Sequence, residues 1–311
     1  MSGPALVGQL DTGLKAADWL NLLSAIKLQR CTPFLGAGAS AEELPAGAQI
    51  AQKWADEYGY PFADSNDLIR VAQFVKLEEG PEFLKLQVKD RFSEKMASPD
   101  FADPDEPHRV LADLNLPVYM TTNYDLFMAD ALRDRGKNPH AEICRWNDDL
   151  RNRVPSVFDS GFKPTSQEPV VFHLHGCLDD LDSLVLTEDD YLDYLMNLSQ
   201  DQDVLPPVIK GALARGSVLF FGYKLADWNF QVMFRSIAKF MGKSGQQRHV
   251  SVQLEPLRKD TPEQQKQRAR EYLGKYFQNQ HVSVYWGDCR QFARELHANW
   301  ESYNKTGKLA A

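Results

Sequence analysis

Four short stretches of this sequence carry residue types that do chemistry, and each follows an apolar run. They are Gly36-Ala37-Gly38-Ala39-Ser40, Thr121-Thr122-Asn123-Tyr124-Asp125, His175-Gly176 and Gly222-Tyr223-Lys224-Leu225-Ala226-Asp227. The glycines of the first stretch let the backbone turn sharply and approach a ligand, and N–H groups at the helix start beyond it would face a pyrophosphate. His175 titrates near neutral pH and can activate a water or a hydroxyl. Asn123 cannot serve as a strong base, because an amide does not titrate, but it can hold a water or a sugar hydroxyl. Asp125 can orient a ligand or stabilise developing positive charge. Asn123, His175 and Asp125 are therefore the candidate catalytic residues. Gly36, Ala37, Gly38, Ser40, Thr122, Gly222 and Asp227 are the candidates for binding a dinucleotide, with Lys224 as a point charge that approaches phosphate or faces solvent.

Each stretch has a plainer reading on its own. The glycines suit any tight turn, Asn123 and Asp125 suit turns and caps, His175 suits a satisfied structural histidine, and Asp227 suits a helix cap. Four polar strand ends in chain order point to one site. The third glycine of the dehydrogenase fingerprint is absent, and so is an acid about 20 residues on, which argues against a dehydrogenase.

The elements that position these residues alternate apolar strands with helices. This predicts an α/β fold, a Rossmann-like, mostly parallel sheet with helices on both faces. Strands are expected over 32–35, 118–122, 141–146, 170–174, 217–221, 249–254 and 281–285. A helical insertion at about 45–110 is expected to form one wall of the cleft, within a single domain spanning 1–311. The spacing of Trp19, Leu22, Leu23 and Ile26 predicts a helix over 17–29, capped by Asp18. Residues 98–108, with three prolines and four acids, read as loop, as do 147–169. Thr187 and Asp190 have capping-box spacing. His173 is expected to face away from His175, and 304–311 reads as a frayed tail.

The chain of 311 residues carries a net charge of −8, which disfavours general binding to nucleic acid or an acidic membrane. Its four cysteines, Cys31, Cys144, Cys177 and Cys289, form no CxxC pair, so neither a zinc ribbon nor a disulfide framework is expected. They read as buried, inert thiols. No apolar run approaches a membrane span and no secretory signal stands at the N-terminus, so a cytoplasmic protein is expected.

The motifs together resemble the sirtuin superfamily. Gly36-Ala37-Gly38-Ala39-Ser40 is similar to the sirtuin GAG-x-S loop, which holds NAD. Thr121-Thr122-Asn123-Tyr124-Asp125 is similar to T-Q-N-x-D with Thr122 in place of Gln, and His175-Gly176 to the pair carrying the catalytic histidine. Gly222 to Asp227 resembles the G-x-S-x-x-D segment of the bacterial branch, with Lys224 replacing Ser. The zinc module of sirtuin deacylases and the D-F-R segment after their glycine loop are missing. Both losses are shared by prokaryotic antiviral sirtuin-like proteins. The resemblance therefore implies an NAD hydrolase with NAD as substrate and no metal, releasing nicotinamide and ADP-ribose. It also implies control by homo-oligomer assembly or by a separately encoded ATPase or recognition subunit. Two alternatives stay open: an NAD or ADP-ribose sensor or scaffold without turnover, and a divergent deacylase or ADP-ribosyl transferase.

Overall fold

A computed structural model describes residues 13–44, 47–95, 97–200, 204–224, 228–241, 249–253, 261–279 and 281–310. The chain enters through α1 (Ala16–Lys27) and β1 (Cys31–Leu35), then runs through α2 (Gly47–Tyr58), α3 (Leu68–Glu79), α4 (Pro81–Lys95) and α5 (Pro107–Ala112). It continues as β2 (Val118–Thr121), α6 (Phe127–Asp134), β3 (His140–Ile143), α7 (Asp148–Arg153) and β4 (Val170–His173). The second half is α8 (Glu188–Gln200), α9 (Pro207–Arg215), β5 (Ser217–Phe221), α10 (Trp228–Ala238), β6 (His249–Gln253), α11 (Glu263–Gln278), β7 (Val282–Trp286) and α12 (Cys289–Thr306).

The described strands form one sheet in the order β3-β4-β2-β1-β5-β6-β7, and every neighbouring pair is parallel. The sheet is thus wholly parallel among the described residues. The chain starts in its middle at β1, builds outward through β2, then returns to the other side of β1 with β5. In such sheets the crevice for a ligand lies beyond the carboxyl ends of the strands, at the point where the winding reverses.

Side chains alternate between two apolar layers, as the two-residue strand period requires. Phe34, Met120, Phe172 and Phe220 enter one layer, and Leu35, Tyr119, Val171, Leu219 and Phe221 enter the other. Each large side chain withdrawn from water contributes ~1.5–3 kcal/mol. The helices α2, α3 and α4 build a third cluster around Trp54, Val71, Val75 and Leu84, closed by Leu184 and Leu186 from the chain after β4. Val110 and Leu111 of α5 instead join the layer of Tyr119.

Three local expectations are corrected. Asp18 does not cap α1: Lys15 occupies that position, and the Asp18 carboxylate accepts from the Lys15 N–H at 3.1 Å from inside the first turn. Residues 147–169 contain α7, capped by Asn147, whose side chain accepts from Leu150 N–H at 2.9 Å. Only Leu150 of that helix is buried, so no apolar period marks it. The tail is helical as far as Thr306, Gly307 closes it in the left-handed region, and Leu309 packs on the sheet core. The Thr187–Asp190 box forms as expected, each backbone N–H donating to the other's side chain. All four cysteines are buried and unpaired, and burial pushes the Cys31 and Cys144 thiols up to about 12. No described helix is long and apolar enough to cross a membrane.

His249 gives the fold an acid sensitivity. Its Nδ1 accepts from Val218 N–H at 2.9 Å, which requires an unprotonated Nδ1. Burial, and then the charge of His281, push the imidazole down to about 4. An unfolded histidine titrates near ~6.5, so the unfolded chain takes up the proton first as pH falls. The stabilisation is complete above about pH 6.5 and is lost toward pH 4. It amounts to ~2 kcal/mol between pH 6.5 and 5 at ~1.4 kcal/mol per unit. His249→Asn keeps an acceptor near the Nδ1 position and cannot titrate. Urea unfolding at both pH values should show the variant losing ~2 kcal/mol less than the wild type; parallel losses would remove His249 as the cause.

Candidate functional site

Strand register brings the four motifs to one line. Phe221 pairs with Leu35, Leu35 with Thr121, and Thr121 with His173, across β5, β1, β2 and β4. The residues that follow these ends therefore emerge side by side. Backbone bonds stitch the exits together: Gly36 N–H to Phe221 O at 2.8 Å, Thr122 N–H to Leu35 O at 3.0 Å, and Leu174 N–H to Thr121 O at 2.8 Å.

The glycines of the first turn have reasons inside the chain. A Cβ on Gly36 would lie 2.6 Å from the Tyr223 ring, and one on Gly38 would lie 2.9 Å from the Gly222 Cα and O. Gly38 N–H donates to Gly222 O at 2.9 Å. Gly222 itself has φ +86°, and a Cβ there would meet Ala39 N at 2.4 Å. The turns after β1 and β5 thus pack backbone against backbone. Tyr223 holds the junction, its hydroxyl donating to Leu35 O at 2.7 Å with Thr122 Oγ1 2.9 Å away. These contacts account for Gly36, Gly38 and Gly222 without a ligand. Ala37 to Ser40 form a 3₁₀ turn, with Ala39 and Ser40 buried. Lys224 is exposed. Asp227 lies outside the described residues, together with Leu225 and Ala226.

Asn123 is bound on its nitrogen side. Nδ2 donates to Gly36 O and to Ser40 Oγ, each at 3.2 Å, while its backbone N–H donates to Thr121 Oγ1 at 2.9 Å. Gly36 O can only accept, so the amide nitrogen must face it. Oδ1 is left as the atom able to accept from a water or hydroxyl in the crevice. Asp125 is turned inward. One oxygen accepts from Ser40 Oγ at 3.1 Å and the other from Phe127 N–H at 3.1 Å. Between them, Tyr124 points toward the insertion. Its ring meets Phe92 of α4 edge-on at 5.9 Å, and its hydroxyl donates to Val185 O at 2.8 Å.

His173 and His175 do part to different surroundings, though not by strand alternation, which puts residues two apart on the same face. The strand ends at His173, and the chain then turns. His173 Nδ1 lies 3.3 Å from Asn123 O. His175 sits edge-on to Tyr191 at 6.0 Å and Tyr194 at 5.1 Å, and its carbonyl accepts from Val185 N–H at 3.0 Å. Burial pushes the His175 imidazole down to about 4, so it is neutral at physiological pH. Its Nε2 is buried without a hydrogen-bond partner. The ring is neutral and so able to accept a proton, while the same burial makes it a weak base and closes Nε2 to solvent.

Gly176 is fixed by its neighbours. It has φ +80°, and a Cβ would lie 2.3 Å from Ser183 O, the atom that accepts Trp146 Nε1–H at 3.0 Å. Gly176→Ala is expected to cost ~3 kcal/mol or more, combining a strained φ with a backbone clash. Chemical unfolding would show it, and a loss below ~1 kcal/mol would mean the 176–183 loop is free to move aside.

Residues 117–284, more than half of the chain, match the family described as SIR2-like domain. The chain belongs to that family. A protein named NAD(+) hydrolase ThsA from Enterococcus faecium is 27% identical to this SIR2-like chain over 242 residues, covering 76% of this chain and 45% of that protein. Another of that name, from Cytobacillus dafuensis, is 28% identical over 224 residues, covering 72% and 41%. A Bacillus subtilis protein named Defense-associated sirtuin 2 is 25% identical over 225 residues, covering 68% and 19%. This chain spans less than half the length of these relatives.

Of the candidate residues, Gly36, Ser40, Asn123 and Asp125 join directly through hydrogen bonds, and Thr122 joins them through Tyr223 and Leu35. His175 stands apart from this group, on the tyrosines of α8. Tyr223 stood inside the fourth motif without a role, and two participants escaped the sequence reading altogether: His108 and Glu106. His108 Nε2 lies 3.4 Å from Ser40 Oγ, and its Nδ1 lies 2.7 Å from Glu106 Oε1. The only signal was the run Glu106-Pro107-His108 at a helix start. The acidic loop before it is tied down by arginines of α12: Arg290 pairs with both Glu42 and Asp103, and Arg294 with Asp105.

Proposed function

We propose that this chain hydrolyses NAD to nicotinamide and ADP-ribose, in the cytoplasm, as an NAD-depleting effector of prokaryotic antiviral defence. The observation that carries the reading is the Asn123 amide, held at the mouth of the sheet crevice by Gly36 O and Ser40 Oγ with Oδ1 left to accept. The names of the relatives support the same activity and setting.

The reaction breaks the bond between the ribose C1′ and the nicotinamide nitrogen. Nicotinamide leaves as a neutral base with the bonding electrons, and C1′ passes through an oxocarbenium-like state. The oxygen of a water then bonds to C1′ and its proton leaves to a base. In this proposal the turn at Gly36, Ala37 and Gly38, with Thr122 and Gly222, holds the phosphates and riboses, Asp227 contacts the adenosine side, and Ser40, buried beneath the turn, fixes Asn123. Asn123 Oδ1 accepts from the attacking water or a ribose hydroxyl, and His175 takes the proton. Asp125 acts from behind, through Ser40.

An unrestrained NADase would exhaust its own cell, so the proposal includes control by homo-oligomerisation or by a separately encoded ATPase or recognition subunit. The test is to mix purified protein with NAD over a wide range of protein concentration and follow nicotinamide release. Release that rises more steeply than protein concentration supports both the activity and its control by assembly. Binding of NAD without release, with or without candidate partner proteins, would replace this reading with a nucleotide sensor.

A further inference from the structure

Ser40, Asp125, His108 and Glu106 form a buried chain behind Asn123. Ser40, His108 and Glu106 are each 1% exposed. Their hydrogen bonds permit few proton arrangements. Asp125 is a carboxylate acceptor, so the single hydroxyl proton of Ser40 goes to it, across 3.1 Å. Ser40 Oγ then has only lone pairs to offer to Asn123 Nδ2 and to His108 Nε2. On the other side of the ring Glu106 also only accepts. Both nitrogens of His108 thus face acceptors, and the arrangement calls for a doubly protonated imidazole.

The charges around the ring agree. Glu106 on the N-terminus of α5, Asp125 after β2 and Glu43 after the glycine turn all favour the proton, and together they hold the His108 pKa above its usual value against the effect of burial. Phe127 packs edge-on against the ring at 5.8 Å.

We propose that Glu106 and His108 are positioning residues: they hold Ser40 with its lone pairs toward Asn123, and so fix the Asn123 amide with Oδ1 facing the crevice. The inference rests on the reading of Asn123 as the group that holds the attacking water or hydroxyl. With a neutral His108, Nε2 would present a lone pair to Ser40. The Ser40 proton would turn toward it, Asp125 would lose its partner, and the amide would lose its fixed acceptor.

The test is Glu106→Gln in the full chain, because Gln keeps an oxygen to cap α5, where Glu106 accepts from His108 N–H at 3.0 Å. Removing the carboxylate takes away the largest influence that holds the His108 proton against burial, leaving only the charges of Asp125 and Glu43 to oppose it. The expected loss in kcat for nicotinamide release grows from about threefold at pH 5.5 to about tenfold or more at pH 8, with KM within about twofold, on the scale of one charge-assisted hydrogen bond. His108→Gln, a donor that does not titrate, should remove the pH dependence of the loss. In parallel, the Asn123 side-chain amide signals are followed by ¹H–¹⁵N NMR, assigned by their absence from Asn123→Ala. They should hold steady from pH 5.5 to 8 in the wild type and move with His108 titration in Glu106→Gln. An unaltered rate profile, or amide signals blind to the substitution, overturns the inference. A wild-type chain that releases no nicotinamide overturns the proposed function instead, and the NMR measurement still decides the network.

Discussion

Asn123→Ala is expected to lower kcat for nicotinamide release from NAD by at least about 10²-fold, or ~2.7 kcal/mol of transition-state stabilisation. KM should change by no more than a few-fold. The amide has little to do until a water or hydroxyl must be aligned with C1′, so its loss falls on the chemical step. Removal of the side chain still leaves Gly36 O accepting from Ala39 N–H at 2.9 Å and Ser40 Oγ bonded to Asp125 at 3.1 Å. The fold should therefore survive, which thermal unfolding would check. Asn123→Asp sharpens the result. A carboxylate facing Gly36 O would set two acceptors against each other, so the nearly isosteric variant should be as impaired as the alanine. A variant that turned over at the wild-type rate would remove Asn123 from the site.

His175→Ala should cause a loss of similar size, and the wild-type pH profile should carry its signature. With the imidazole pushed down to about 4, the free enzyme holds His175 neutral throughout the physiological range. kcat/KM should therefore stay level as pH falls from 8 to about 5, and drop only as the ring takes up its proton below that. An acid limb centred near 6.5 would mean that the ring titrates as if exposed, contrary to its packing between Tyr191 and Tyr194. Since His175→Ala also leaves a gap between those rings, His175→Gln is the better control for stability. It fills most of the space and cannot act as a base. Retained activity in both Asn123→Ala and His175→Ala would sink the assignment of this site.

The strand ends were legible because each obeyed a local rule. An apolar run closed by small or polar residues marks the mouth of a parallel sheet whatever the rest of the chain does, and the register of β5, β1, β2 and β4 then brings the mouths together. The direction of individual side chains was not legible. Asp125 reads from sequence as a group aimed at ligand or as a turn residue; its carboxylate takes the turn bond from Phe127 N–H and a bond from Ser40, a pairing across 85 residues that no local motif shows. His108 was hidden for a related reason. Glu106-Pro107 is an ordinary helix start, and nothing in it tells a buried imidazole from an exposed one. Its partner Ser40 lies 68 residues away. α7 escaped because a short helix with one buried side chain leaves no period to find.

Tyr124 ties the helical insertion to both turns of the candidate site. Its ring leans on Phe92 of α4, and its hydroxyl holds the carbonyl of Val185, whose own N–H holds the carbonyl of His175. One residue thus tethers the Asn123 turn to the His175 turn, and α4 presses on the tether. The two groups that would share the attacking water are therefore joined, through this tether, to the seat of the insertion. Pressure on its outer face would reach both groups along that tether, with no part of the sheet having to move.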